Sequence, residues 1–261
     1  MLNGAPPNLP RIIGHRGAPC EAPENTLESF RLAWKQGADG IEADFRLSSD
    51  GRIVCMHDET TARTTGRDLN IADTSLKELR SLNARGGEGA AWPGALIPTL
   101  DEVLDAIPPD SWFFIEIKSG TEIIPFLERV LRASGISPRR VRLLSFSAPL
   151  VAELKQWLPD WHVCWLCDYR HSLKDNIWRP SRADVIDTLR CSGADGLASA
   201  NRSFLDKYLV ETLKGLGMEI HVWTVDRLPD AKRLCTLGVD SIMTNRPGWL
   251  RQQLASCGER P

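Results

Sequence analysis

Two histidines in short, distinctive contexts carry most of the chemistry legible in this chain: Gly14-His15-Arg16-Gly17 near the N-terminus and, further along, Met56-His57-Asp58. Between them lies Glu42-Ala43-Asp44, and Glu116-Ile117-Lys118 follows. Imidazoles titrate near neutral pH and carry protons, clustered carboxylates hold hard divalent cations, and Arg or Lys neutralises phosphate oxygens. The combination reads as a metal-dependent phosphate-ester hydrolase.

Residues two apart in a strand share a face, so Glu42 and Asp44 project together, as do Glu116 and Lys118. Burying unpaired carboxylates is costly, and these need compensation. Three carboxylates against Lys118 and Arg16 leave one net negative charge, which would repel a phosphodiester monoanion. One divalent cation reverses the sign, and the all-oxygen set of Glu42, Asp44 and Glu116 favours Mg²⁺ or Ca²⁺ over zinc. The structural alternative is a buried salt-bridge network around Lys118. Phosphodiester cleavage needs a base for the nucleophile and an acid for the leaving alkoxide, roles that His15 and His57 can divide.

The elements that must position these groups alternate. Strand-like runs fall at 11–14, 40–47, 112–117, 141–145, 162–166, 196–198, 219–224 and 241–244, separated by helix-period stretches such as Leu27, Phe30, Trp34 and Leu205, Leu209, Thr212, Leu216. Eight strands in such alternation predict a (β/α)8 TIM barrel, whose active sites lie at the C-terminal ends of the strands. The segments Gly37-Ala38-Asp39-Gly40-Ile41, Gly193-Ala194-Asp195-Gly196-Leu197 and Gly238-Val239-Asp240-Ser241-Ile242 repeat one helix-to-strand joint, with a structural role for each Asp. Asn25 and Glu28 suggest a capping box opening the first helix, and Glu24 is placed to orient site groups. A small insertion, about 59–99, separates the second and third barrel strands. With its glycine-rich Arg85-Gly86-Gly87-Glu88-Gly89 it is expected to overhang the site, as a partial lid or as surface elaboration. Asp50-Gly51 reads as a two-residue hairpin loop, a register that would set Asp44 opposite His57.

The 261 residues fit one catalytic domain over 1–261, with 42% hydrophobic and 25% charged residues and a net charge of −2. Nothing there suggests bulk attraction to nucleic acid or to a membrane. No apolar run suits a signal peptide or a membrane span, and seven cysteines without framework spacing fit free thiols in the cytoplasm. Cys164-Trp165-Leu166-Cys167 reads as two buried thiols. His221 reads as a hydrogen-bonded core histidine, and His162 and His171 have no supporting context.

Gly-His-Arg-Gly followed by Pro-Glu-Asn-Thr, Glu-Ala-Asp, His-Asp, Glu-Ile-Lys and Trp223-Thr224-Val225-Asp226 resembles the glycerophosphodiester phosphodiesterase family, from Arg11 to about Trp249. The resemblance implies a TIM barrel with His15 and His57 as general acid and base, and Glu42, Asp44 and Glu116 as metal ligands. It also implies Arg16 and Lys118 as phosphate contacts and Trp223 packed on the glycerol carbons. The implied reaction converts a glycerophosphodiester to glycerol 3-phosphate and an alcohol, by attack of the substrate's 2-hydroxyl and opening of a cyclic phosphate. Competing readings are a lysophospholipase D acting on mono-acylated diesters, a phosphate-binding barrel isomerase and a non-catalytic phosphodiester-binding barrel. The first would need an apolar channel that Trp92, Leu96 and Ile97 barely supply. The second lacks glycines after Trp223 and Thr244, and the third leaves the intact proton carriers unexplained.

Overall fold

A computed structural model describes residues 9–84, 92 and 94–258. Its strands are β1 (Arg11–His15), β2 (Gly40–Leu47), β3 (Ile53–Cys55), β4 (Trp112–Ile117), β5 (Val141–Ser145), β6 (His162–Cys167), β7 (Arg170–Ser172), β8 (Ile177–Arg179), β9 (Gly196–Ala200), β10 (Glu219–Trp223) and β11 (Ser241–Thr244). Parallel pairing runs β1, β2, β4, β5, β6, β9, β10, β11 and returns to β1, closing the predicted eight-stranded barrel. Antiparallel β3 extends β2, and β7 with β8 forms a separate ribbon.

Between the strands lie α1 (Leu27–Lys35), α2 (Ala62–Thr65), α3 (Leu76–Leu79), α4 (Leu100–Ala106), α5 (Ile124–Ser134), α6 (Ala148–Trp157), α7 (Arg182–Ser192), α8 (Lys207–Gly215), α9 (Leu228–Leu237) and α10 (Pro247–Gly258). Among the described residues no helix is long and apolar enough to cross a membrane. Alternate strand residues face the helices, as Ile41, Ala43, Phe45, Phe113 and Ile115 do beside Phe30 and Ala33 of α1. The other face fills the barrel with Ile13, Phe114, Leu144, Cys164, Leu166, Ala198 and Met243. Cys164 and Cys167 therefore point to opposite faces of β6, both buried, and do not form a paired thiol motif. The stripe of α8 is phased differently from the sequence expectation. Asp206 caps the helix, so Leu209, Val210 and Leu213 are buried while Leu216 is left 39% exposed.

The three repeated joints are built alike at the N-terminal end of the barrel. Gly37, Gly193 and Gly238 each take a left-handed conformation, with φ of 85°, 67° and 74°. The following carboxylate then accepts from a backbone N–H in the strand before it: Asp39 from Ile12 at 2.7 Å, Asp195 from Val163 at 2.8 Å and Asp240 from Ile220 at 2.6 Å. Each is also ion-paired, to Arg251, Lys155 and Lys214 respectively. The structural role read from the repeat is thereby accounted for in hydrogen bonds.

The hairpin differs from the sequence expectation by one residue. Phe45 pairs with Cys55, Arg46 with Val54 and Leu47 with Ile53, so Asp44 stands opposite Met56, whose N–H donates to the Asp44 carbonyl at 2.9 Å. The cause is a three-residue loop, Ser49-Asp50-Gly51. Gly51 N–H closes a turn on the Ser48 carbonyl at 3.1 Å, and its φ of 72° adds the bulge that returns Arg52 opposite Ser48. The insertion beyond this hairpin packs on a small core of its own, Val54, Met56, Ile71, Leu79, Leu82, Ala84 and Ile97. Its glycine-rich part, 85–89, lies outside the described residues.

Below the site the barrel interior holds a charged cluster. Arg142 grips both Glu219 oxygens at 2.5 and 2.7 Å, and His221 lies between Glu219 at 3.2 Å and the Ser241 hydroxyl at 2.9 Å. Burial holds His221 below its usual pKa. Burial works against the charge on Glu219, but His221 and Arg142 outweigh it and hold that carboxyl well below its ordinary range. Both groups bind fewer protons folded than unfolded. Stability from this cluster is therefore complete above about pH 6.5 and falls with pH, first through the histidine and then, below about pH 4.3, through Glu219. His221→Ala should cost about 2–5 kcal/mol in urea unfolding, remove the upper of these two pH windows and leave turnover near wild type. Loss of turnover without loss of stability would contradict this core role. Asp195→Ala, which strands the Val163 N–H, should cost about 1–3 kcal/mol in the same measurement.

Candidate active site

Parallel register alone assembles the centre of the site. His15 on β1 is the Cα partner of Glu42 on β2, and Asp44 on β2 is the partner of Glu116 on β4. All four side chains meet at the C-terminal mouth, with Lys118 just past the end of β4. His15, Glu42, Glu116 and Lys118 line a cavity of about 140 Å³ with Arg16, His57, Leu144, Phe146, Leu166, Trp223, Thr224 and Met243, and Asp44 pairs with Arg16 and Lys118 of that lining.

The turn after β1 aims its groups by backbone strain. Arg16 and Asn25 are left-handed, with φ of 57° and 58°, and are tied by the Asn25 N–H to Arg16 carbonyl bond at 3.1 Å. Arg16 N–H donates to Glu42 Oε2 at 3.0 Å, and its guanidinium Nε lies 3.1 Å from Asp44 Oδ2. Strained non-glycine residues persist where surrounding contacts determine them, and here those contacts are the site itself. Asn25 is not the helix cap that the sequence suggests. Thr26 caps α1 by accepting from Ser29 N–H. Asn25 is instead a buried clamp on Asp44: its Nδ2 donates to Asp44 Oδ2 at 2.8 Å and its Oδ1 accepts from the Asp44 N–H at 3.2 Å.

His57 reaches the mouth from outside the barrel. Arg46, on the same face of β2 as Asp44, donates to the His57 carbonyl at 2.9 and 3.1 Å, holding the turn after β3 against the site. A chain of ion pairs runs around the rim from there. His57 Nδ1 contacts Asp58 at 2.7 Å, Asp58 contacts Arg63 at 2.5 Å, Arg63 forks onto Glu24 at 2.8 Å, and Glu24 contacts Arg16 at 2.9 Å. Glu24 thus has the orienting place expected of it. On the other side, His15 Nδ1 meets Asn245 Oδ1 at 2.8 Å.

The charge balance of the cluster is strained. Burial pushes the Glu42 carboxyl well above the usual range, and Asp44 and Glu116 push the same way. Glu116 is raised to about 7 by burial and by Asp44, against the pull of Lys118. Burial opposes charge on Asp44 also, but Arg16 and Lys118 hold it at about 2. Burial lowers both histidines, with Arg16 adding to the effect on His15. The Lys118 ammonium stands 3.2 Å from Asp44 Oδ1 and in contact with Glu116 Oε1, yet Glu42 Oε1, Asp44 Oδ1 and Glu116 Oε1 all lack an aligned hydrogen-bond donor. A buried carboxylate oxygen without a donor is costly. One ligand atom from each of these three residues lies within 4.8 Å of the others, so the set fits a hard cation. Cys164, Glu219 and His221 meet the same distance criterion but are engaged by Arg142 and Ser241, which leaves no such deficit.

The mouth's far wall is aromatic. Trp223 donates its indole N–H to the Ala198 carbonyl at 2.9 Å and meets Phe146 edge to face at 5.6 Å. Every residue singled out in the sequence for site chemistry comes to this mouth. Sequence reasoning missed Asn25 in its clamping role, Arg63, Phe146 and Asn245, whose partners are distant in sequence. For Phe146, its place just past a barrel strand was the available signal.

A parallel barrel carrying two imidazoles, three carboxylates and two cations at its C-terminal mouth defines a phosphodiester hydrolase. The model of the glycerophosphoryl diester phosphodiesterase family matches residues 15–249, and the chain belongs to that family. A glycerophosphodiester phosphodiesterase of Caldanaerobacter subterraneus is 34% identical over 241 residues, 90% of this chain and 94% of that one. Among solved structures, a putative glycerophosphoryl diester phosphodiesterase of Silicibacter pomeroyi superposes with a TM-score of 0.83 at 25% identity, covering 97% and 95% of the two chains. An Oleispira antarctica phosphodiesterase solved with the product sn-glycerol-3-phosphate gives 0.82 at 28% identity, covering 95% and 97%. The protein is a glycerophosphodiester phosphodiesterase, a phosphoric diester hydrolase. Asn25→Ala should cost about 1–3 kcal/mol in chemical denaturation by stranding the Asp44 backbone N–H and carboxylate. It should also weaken divalent-cation binding in calorimetric titration, and unchanged affinity would remove Asn25 from the site.

Proposed function

We propose that this enzyme hydrolyses glycerophosphodiesters to glycerol 3-phosphate and an alcohol, using one divalent cation, Mg²⁺ or Ca²⁺, and two histidines as proton carriers. The observation that carries the reading is the trio of buried carboxylate oxygens on Glu42, Asp44 and Glu116 that lack an aligned hydrogen-bond donor, beside two imidazoles. These three residues would hold the cation, which supplies Lewis-acid stabilisation of charge on the phosphoryl oxygens. Arg16 and Lys118 neutralise the remaining phosphate charge. Burial lowers the pKa of both His15 and His57. One, entering the step unprotonated, takes the proton from the attacking hydroxyl, and the other, entering it as the imidazolium, gives its proton to the leaving alkoxide. Trp223, fixed by Ala198, offers an apolar face to the glycerol carbons, and its neighbour Phe146 widens that wall.

The small-molecule product bound by the Oleispira antarctica neighbour supports a small-molecule substrate here. Residues 1–261 form one catalytic domain in this reading. The free thiols of Cys20, Cys55, Cys164, Cys167 and Cys191 suit the cytoplasm.

Purified protein with Mg²⁺ or Ca²⁺ should release glycerol 3-phosphate from glycerophosphodiesters in a dehydrogenase-coupled assay. Chelation should abolish the activity and added cation restore it, whereas full activity in excess chelator would sink the metal assignment. Glu42→Ala, Asp44→Ala and Glu116→Ala should each weaken cation binding. His15→Ala and His57→Ala should each lower kcat by about 10²- to 10⁴-fold with the fold intact. A variant retaining wild-type kcat would return its histidine to a structural role.

A further inference from the structure

Two residues with no part in the proposed reaction control one that has. Asn245, in the loop after β11, accepts at Oδ1 against His15 Nδ1 at 2.8 Å. Its other amide end, Nδ2, donates to Asp226 Oδ2 at 2.6 Å. Asp226, in the loop after β10, also accepts at Oδ1 from the Asn245 backbone N–H and from the Thr244 hydroxyl, each at 2.8 Å. Oδ1 is thus held by two donors, and the other oxygen of the carboxylate faces Asn245 as an acceptor. The asparagine must then turn its NH₂ to Asp226 and its carbonyl oxygen to His15. An acceptor at Nδ1 requires the neutral imidazole to carry its proton there. Nε2, 3.9 Å from Glu42 Oε2, is left with the lone pair.

We propose that Asp226 and Asn245 are a positioning pair that sets the tautomer of His15, presenting an unprotonated Nε2 to the substrate. The proposal rests on the catalytic reading of His15. The polarity runs one way along the pair, from carboxylate to amide to imidazole, so it can be reversed by a single exchange of oxygen for NH₂. In Asp226→Asn, the new amide oxygen keeps the Thr244 and Asn245 backbone bonds, and its NH₂ confronts the NH₂ of Asn245. Relief of that clash flips Asn245, which then donates to His15 Nδ1 and moves the imidazole proton to Nε2. Exchanging both residues, Asp226→Asn with Asn245→Asp, restores the order, because a carboxylate at 245 accepts from His15 Nδ1–H and from the amide at 226.

The test joins kinetics to a direct view of the proton. Nitrogen NMR of histidine-labelled protein at mildly alkaline pH should show the Nδ1–H tautomer for His15 in the wild type, assigned by its loss in His15→Ala. Asp226→Asn should convert it to Nε2–H and lower kcat by about 10²- to 10⁴-fold, with KM and thermal stability little changed. The double exchange should recover the Nδ1–H tautomer and most of kcat. An Nε2–H tautomer in the wild type would overturn the proposal without any variant. So would an Asp226→Asn protein that keeps Nδ1–H, or a double exchange no better than the single one in both readouts. If His15→Ala itself retained activity, the catalytic reading would fall, while the tautomers would still decide the relay.

Discussion

Three carboxylates are packed side by side at one end of a closed barrel, and the energetic problem this creates organises the rest of the molecule. Glu42 and Asp44 are buried to 1% and 0% exposure and Glu116 to 7%, with two cations among them. Burial raises all three and like charges this close oppose one another's ionisation, so Glu42 and Glu116 are driven upward while Asp44, paired with both Arg16 and Lys118, is held down. Structure accumulates around that conflict. Asn25 clamps Asp44, Arg16 adopts a left-handed backbone to reach it, and the rim chain of Glu24, Arg63 and Asp58 holds Arg16 and His57 in place.

The opposite end of the barrel uses the same residue types to the opposite effect. Asp39, Asp195 and Asp240 each have a backbone donor and a cationic partner. Paired in this way, they stabilise the joints between helices and strands. Glu219, gripped on both oxygens by Arg142, behaves likewise. What sets the three carboxylates at the mouth apart is that each has one fully buried oxygen without an aligned hydrogen-bond donor.

Whether a residue's partners lie near it in the chain is what divides the legible from the illegible in the sequence. Strand alternation, the eight-strand count and the shared face of Glu42, Asp44, Glu116 and Lys118 follow from periods of two and from apolar runs, which are local properties of the chain. The placement of His15 beside Glu42 then follows from parallel register. Asn25 was visible only as a capping residue because its partner, Asp44, is nineteen positions away. Arg63 and Asn245 gave no local signal at all. The hairpin erred because Asp50-Gly51 suits either a two-residue loop or the last two positions of a three-residue one. The choice was made by Ser48, whose hydroxyl bonds Asp50 at 2.6 Å and accepts from Arg52 N–H at 3.0 Å.

The hairpin error exposes a division of labour between the two imidazoles. His15 sits on a barrel strand, so its backbone is as rigid as the sheet. His57 lies beyond the last paired residue of β3, and cross-strand pairing alone does not hold it over the site. It is positioned by a carbonyl bond to Arg46, by Asp58, and by an insertion with its own apolar core that supplies Arg63. The insertion follows β2, the strand that carries two of the three clustered carboxylates, so it brings the second imidazole to Asp44 over a short length of chain. The insertion thus lies where a short length of chain can set a second imidazole beside the charged centre.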